Sequence, residues 1–155
     1  MTAKTNMVLI INAGSSSLKC SLFDVQNNEL TQHFRVKVAN LAGPARLEIY
    51  DHSVNPDGVL VDKETLSAEQ LNAAQGQAHA SALKVILEWI TTNTPHFTIA
   101  WVGHRVVHGG DRYGEPVVIT DEVLEFLETL VPLAPLHQPY NLKLVHLSRE
   151  FLPEI

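Results

Sequence analysis

Apolar and polar residues alternate with a period of two through much of the first sixty positions. Val8-Leu9-Ile10-Ile11 is an apolar run of strand length. After the small-residue segment Asn12-Ala13-Gly14-Ser15-Ser16-Ser17, Leu18, Cys20 and Leu22 alternate with Lys19, Ser21 and Phe23, with one lapse at Phe23. His33–Val38 and Arg46–Tyr50 continue in kind, and Gly58–Val61 adds a short strand. Gly43-Pro44 and Asn55-Pro56-Asp57-Gly58 between them are turn chemistry. The pattern predicts an antiparallel meander. The serine-rich segment is then the turn of a β-hairpin rather than a strand-to-helix loop.

Further along the period lengthens. Ser67-Ala68-Glu69-Gln70 has capping-box spacing, and Leu83, Ile86, Leu87 and Ile90 then follow the i, i+3, i+4, i+7 rule of a helix with one apolar stripe. Thr98–Val102 reads as another strand. Thr120 is placed to cap a second helix, with Asp121 and Glu122 at its positive end and Val123, Leu127 and Leu130 on its buried face. Pro139 suits the first turn of a third helix carrying Leu142, Val145 and Leu152, which Pro153 stops. Strands, helix, strand, helix, helix is the order of an α/β domain of ribonuclease-H-like type, a mixed sheet flanked by helices.

The 155 residues, 45% apolar, can bury one sizeable core. No stretch approaches the ~20 apolar residues that span a bilayer, and Val8–Ile11 is too short for a secretory leader. Cys20 is the only cysteine, so no internal disulfide can form, and a reducing cytoplasm is the expected setting. It falls on the apolar side of its strand and reads as a packed core thiol. The net charge of −6, from 11 Lys+Arg against 17 Asp+Glu, is a poor footprint for nucleic acid. It leaves room for an anionic small molecule held by a few local cations, and Lys19, Arg105 and Arg112 lie in or beside glycine-rich segments.

In the segment Asn12–Lys19 small residues admit close approach of a ligand to the backbone, while hydroxyls and amides can hold phosphate oxygens. It is not a Walker loop, since no Gly-Lys-Ser/Thr ends it and no helical pattern follows. A plain Ser/Gly turn has the same composition. Two further segments change that reading: Gly103-His104-Arg105-Val106-Val107-His108-Gly109-Gly110 and Leu133-Ala134-Pro135-Leu136-His137-Gln138-Pro139-Tyr140-Asn141. Together with Ile11–Lys19, and in the same order, they resemble the signatures of the acetate/propionate kinase family, acyl-phosphate-forming kinases of the actin-like ATPase superfamily. The resemblance runs from Val8 to the end of the chain.

What the resemblance implies is reversible phosphoryl transfer from ATP to a short-chain carboxylate, acetate first and propionate next, with Mg²⁺ as cofactor. Asn12 would help organise Mg²⁺ through water, as that ion retains much of its hydration shell. Lys19, Ser15 and Ser17 would meet the nucleotide phosphates, Arg105 the substrate carboxylate, and His137 the transferring phosphoryl group. Val107 and Leu136 would line the pocket for the acyl methyl. An arginine suits the carboxylate because a guanidinium donates two parallel hydrogen bonds. Gln138 stands where the family commonly has asparagine. His104 and His108 invite a zinc reading, but on an extended segment they would be ~13 Å apart and could not share one ion.

The family's enzymes are longer, two-domain proteins. The resemblance implies that residues 1–155 are an incomplete N-terminal domain lacking its last strand. The catalytic aspartate, the transition-state arginine and the adenosine-binding elements then belong to a C-terminal part beyond Ile155, and self-association through an uncovered sheet edge is an expected consequence. The alternative reading is a non-catalytic binding or assembly module. A sugar kinase of the same superfamily would have no reason to carry the second and third segments.

Overall fold

The computed structural model of the chain describes residues 4–155. Five strands come in succession: β1 Thr5–Ala13, β2 Ser17–Gln26, β3 Glu29–Ala39, β4 Ala45–Asp51 and β5 Val59–Leu66. Helix α1, Ala78–Asn93, leads to strand β6, Phe97–His104, and helices α2, Asp121–Thr129, and α3, Gln138–Phe151, complete the chain. The sheet order is β5-β4-β3-β2-β1-β6. Strands β1 to β5 pair antiparallel, as the alternation predicts, whereas β6 lies parallel to β1. A parallel neighbour needs a crossover, and α1 supplies part of it.

The period of two sorts the sheet into a dry and a wet face. Met7, Leu9, Ile11, Leu18, Cys20, Val36 and Val38 are buried in the main core with Leu83, Ile86 and Ile90 of α1 and Leu144 of α3. Each fully buried aliphatic side chain of this kind contributes about 1.5–3 kcal/mol. The wet face carries Lys19 opposite Lys37, Lys37 opposite Glu48, and Ser21 opposite Arg35. Cys20 is 1% exposed, and burial pushes its thiol up to about 12. It is a packed core residue with no thiolate at neutral pH.

The lapse at Phe23 marks a bulge. Leu22 pairs with Phe34 but Phe23 with Gln32, leaving His33 as the extra residue on β3. Asp24 is buried in the next position, where it accepts from Gln26 Nε2 at 3.0 Å and faces His33 Nε2 at 3.3 Å. Asn27 and Asn28 both have positive φ (52° and 64°), the backbone that joins β2 to β3 through a two-residue hairpin turn.

The capping box forms, but not where the first helix begins. Gln70 Oε1 accepts from the Ser67 N–H at 2.7 Å and Ser67 Oγ from the Gln70 N–H at 3.0 Å. The pair closes a turn followed by a short 3₁₀ segment, Ala73–Gln75, and α1 starts only at Ala78. Gly76, with φ 69°, breaks the chain direction between them. The other helix signals act as expected. Thr120 Oγ1 accepts from the Val123 N–H at 3.3 Å, and Pro139 sits in the first turn of α3. Val123, Leu127 and Leu130 form a second cluster with Leu142 and Val145.

Among the described residues no strand covers the outer side of β6, so its edge is open, and Trp101 on it is 53% exposed. No helix among them is long and apolar enough to cross a membrane.

Candidate functional site

Strands β1 and β6 run parallel and stop side by side. The Arg105 N–H donates to the Ile11 carbonyl at 3.1 Å, extending the β1–β6 pairing one residue past the end of β6. Asn12 lies opposite Lys19 in the β1–β2 register. The arginine, the asparagine and the lysine thus come from three adjacent strands at one end of the sheet. Carboxyl ends of parallel strands are where open α/β sheets commonly place ligands.

The turn between β1 and β2 is closed by the Gly14 N–H donating to the Ser17 carbonyl at 2.9 Å, and the Leu41 N–H holds the Ser16 carbonyl at 3.0 Å. From the opposite side the start of α3 brings His137 in as the residue before its first turn. The His137 carbonyl accepts from the Tyr140 and Asn141 N–H groups, while no cap bond engages the imidazole.

A cleft of about 260 Å³ lies between these elements. Asn12, Ser17, Lys19, Arg105, Val107 and His137 line it, six of the residues singled out in the sequence. Ser15 and Leu136 do not: Ser15 is exposed on the turn, and Leu136 is 74% exposed. The lining carries two fixed cations and no carboxylate. Neither Lys19 nor Arg105 has an ion-pair partner among the described residues. The cleft is therefore locally electropositive in a chain of net charge −6, and its groups suit phosphate and carboxylate oxygens. Asn12 and Ser17 supply neutral oxygens, a donor set for a cation that arrives with phosphates and water rather than one caged by protein.

Three polar side chains brace the cleft through bonds to backbone, Asn141 from within its lining and His79 and Gln138 from outside it. Asn141 Nδ2 donates to the Ala13 carbonyl at 2.9 Å while its Oδ1 accepts from the Val107 N–H at 3.1 Å. His79, in the first turn of α1 and 5% exposed, bonds the Gly14 carbonyl through Nε2 at 2.7 Å and stacks on Tyr140. Burial holds His79 below the usual imidazole range, opposed by its bond to Gly14 and assisted by the charge of Lys143. Gln138, fully buried, donates to the carbonyls of His108 at 3.1 Å and Leu127 at 3.2 Å, joining the arginine segment to α2. Asn141 and Gln138 lie inside a segment the sequence marks, but His79 lies in a helix whose only visible pattern is its apolar stripe.

On the other side of the arginine segment lies a larger apolar groove of about 800 Å³, along the open edge of β6. Trp101, Val102, Tyr113, Val117, Ile119 and Leu152 are among its walls, as are His104 and His108. Burial pushes His104 down to about 4, so it is neutral at pH 7. His108 Nδ1 accepts from the Gly110 N–H at 2.9 Å. The glycine pair is structural: a Cβ on Gly109 would collide with the Tyr113 carbonyl, and Gly110 has φ 64°.

The chain matches the model of the acetokinase family over residues 7–155. It is 39% identical to an acetate kinase of Methylocella silvestris, covering 96% of this chain and 36% of that one. An acetate kinase of Coprothermobacter proteolyticus is 37% identical, with 96% and 35% covered. Among solved structures, the acetate kinase of Porphyromonas gingivalis superposes with a TM-score of 0.74 at 30% identity, covering 96% of this chain and 35% of that one. A propionate kinase from Francisella tularensis superposes with 0.79 at 22% identity, covering 97% and 35%, and this likeness bears on the fold alone. The fold is that of the actin-like ATPases. The chain spans about a third of the length of the curated relatives it matches. With a family match across nearly all of its length and relatives above 30% identity, this chain belongs to the acetokinase family.

Proposed function

We propose that the chain forms the carboxylate- and phosphate-facing part of a kinase that transfers a phosphoryl group reversibly from ATP to a short-chain carboxylate, acetate first and propionate next. The observation that carries this reading is the cleft itself. It gathers Asn12, Ser17, Lys19, Arg105, Val107 and His137 from three separate segments around two unpaired cations. A carboxylate needs no proton removed before it attacks phosphorus. Positioning and charge neutralisation then do the catalytic work, with no general base required.

In this reading Arg105 grips the carboxylate through two parallel N–H···O bonds, and Val107 limits the acyl tail. Leu136, exposed in this chain, would complete that pocket when the kinase closes. Lys19, Ser17 and the exposed Ser15 meet the phosphates, and His137 donates to the transferring group. A carboxylate oxygen bonds the γ-phosphorus as its bond to the ADP oxygen breaks, giving ADP and an acyl phosphate. Mg²⁺ bound with the nucleotide would neutralise phosphate charge, and Asn12 would hold it through water. The setting is the cytoplasm. Residues 1–155 act as an incomplete N-terminal domain, and a C-terminal nucleotide-binding part, of the kind the relatives' extra length can hold, supplies the groups that stabilise the transition state.

The test is ATP-dependent acyl phosphate formation, trapped with hydroxylamine, by a chain of the relatives' length carrying this segment. Acetate should be used best and propionate next. A chain that binds neither ATP nor acetate and forms no acyl phosphate would sink the reading.

A further inference from the structure

The serine turn is held through its carbonyls by two side chains, Asn141 in the lining of the cleft and His79 of α1 outside it. The carbonyl of Ala13 is taken by Asn141 Nδ2 at 2.9 Å and that of Gly14 by His79 Nε2 at 2.7 Å. Both assignments follow from chemistry. A carbonyl can only accept, so His79 must carry its proton on Nε2 and Asn141 must turn its amide nitrogen to Ala13. The Val107 N–H can only donate, which places the Asn141 oxygen toward it.

These bonds have a consequence on the opposite side of the backbone. In a planar trans peptide the carbonyl and the following N–H point opposite ways. With the Gly14 carbonyl directed at α1, the Ser15 N–H is directed away from it, and it has no acceptor among the described residues. A free carbonyl in its place would present negative charge to an anion, whereas successive N–H groups attract one. Asn141 adds a second constraint. By bonding Ala13 and Val107 together it sets the distance between the serine turn and the arginine segment.

We propose that His79 and Asn141 are positioning residues: His79 fixes the Gly14 peptide in the cleft wall and leaves the Ser15 N–H free for phosphate, and Asn141 ties the serine turn to the Arg105 segment. The assignment rests on the phosphate reading of the cleft given above. His79 lies outside the cleft lining, whereas Asn141 is part of it with its amide nitrogen and oxygen each bonded to backbone.

The experiment follows backbone amides of the 155-residue chain by hydrogen exchange, and those of a chain of the relatives' length carrying this segment by titration with MgATP. His79→Phe keeps a ring to stack on Tyr140 but loses the donor, whereas His79→Gln keeps a donor and loses the ring. The Phe variant should speed exchange of the Gly14 N–H, which closes the turn, by about tenfold, as loss of one hydrogen bond implies. The Gln variant should restore much of the protection. Asn141→Asp keeps the acceptor for Val107 and loses the donor to Ala13, so Gly14 should exchange faster while Val107 stays protected. Asn141→Ala should release both. Amides of β3 and β4 should not change in any variant. In a chain of the relatives' length carrying this segment, MgATP should shift the Ser15 amide, with affinity about tenfold weaker in the Phe variant.

Gln behaving like Phe, Phe behaving like wild type, or a uniform rise in exchange across the sheet would each overturn the positioning role. An unmoved Ser15 amide in that longer chain would overturn the phosphate reading instead, and the exchange measurements, which involve no nucleotide, keep the two failures distinct.

Discussion

The residues from His104 to His108 form a partition between two unlike cavities. Arg105 and Val107 line the small cleft on one side, while His104, Val106 and His108 line the large groove on the other. The cleft is polar and backed by completed hydrogen bonds to Ala13, Gly14 and Val107. The groove is walled by aromatic and aliphatic side chains beside a strand edge with no partner among the described residues. One segment therefore presents alternate residues to a polar cleft and to an apolar groove. What differs is completeness: the cleft has its second layer of support, and the groove lacks a cover.

That contrast can be broken in several ways. The largest effect expected is total. The 155-residue chain alone should form no acyl phosphate above background, because the proposed function assigns the groups that stabilise the transition state to the rest of a kinase of the relatives' length. Robust acetyl phosphate production by the pure chain would show that the cleft is a complete active site.

Next in size is Arg105→Lys, placed in a chain of the relatives' length. It keeps the charge and loses the paired hydrogen bonds, so kcat/KM for acetate should fall roughly 10²–10³-fold, about 3–4 kcal/mol, with little change in nucleotide KM. Unchanged acetate kinetics would remove Arg105 from the carboxylate site.

The groove side should show itself through acid. His104 titrates near 4 when folded, because burial disfavours its charge, against an ordinary value of 6.5. Below pH 6.5 the unfolded chain takes up a proton that the folded chain refuses. The stability tied to the neutral ring is therefore complete above about pH 6.5 and is lost as the pH falls toward about 4, amounting to about 3 kcal/mol. Burial of His79 acts in the same direction. Chemical denaturation of wild type and His104→Leu across that window checks it, and the variant should lose less stability with acid. Parallel curves would mean that His104 is not the titrating group.

The smallest effect concerns the open edge. An uncovered strand beside Ile99, Trp101 and Val102 recruits other strands, so the isolated chain should self-associate, and Trp101→Lys should weaken that association about tenfold. Sedimentation at a series of concentrations measures it. A wild-type chain that stays monomeric, and melts as high as a version extended by the relatives' next segment, would show that the edge needs no partner.

The strands, their dry face and most helix caps were legible because each depends on residues close in sequence. A period of two places Leu18, Cys20 and Leu22 on one face whatever else the chain does, and Thr120 caps its own helix. Local signals also mislead locally. The Ser67–Gln70 box forms its bonds, yet the left-handed Gly76 separates it from α1. The three marked segments could be read as a site through their likeness to a family, but their spacing alone could not show that six of their side chains share one cleft.

By itself the sequence determined the meander, the hairpin turn at the serines and the apolar stripes that form the core. Only the tertiary structure decided that β6 lies beside β1, that alternate residues of one segment face different cavities, and that His79 and Asn141 reach the turn across 65 and 128 residues. The physical reason is that periodicity records which face of an element is dry. A hydrogen bond between distant residues consumes one side chain at each end and leaves no period behind, so it becomes visible only when packing has brought the two ends together.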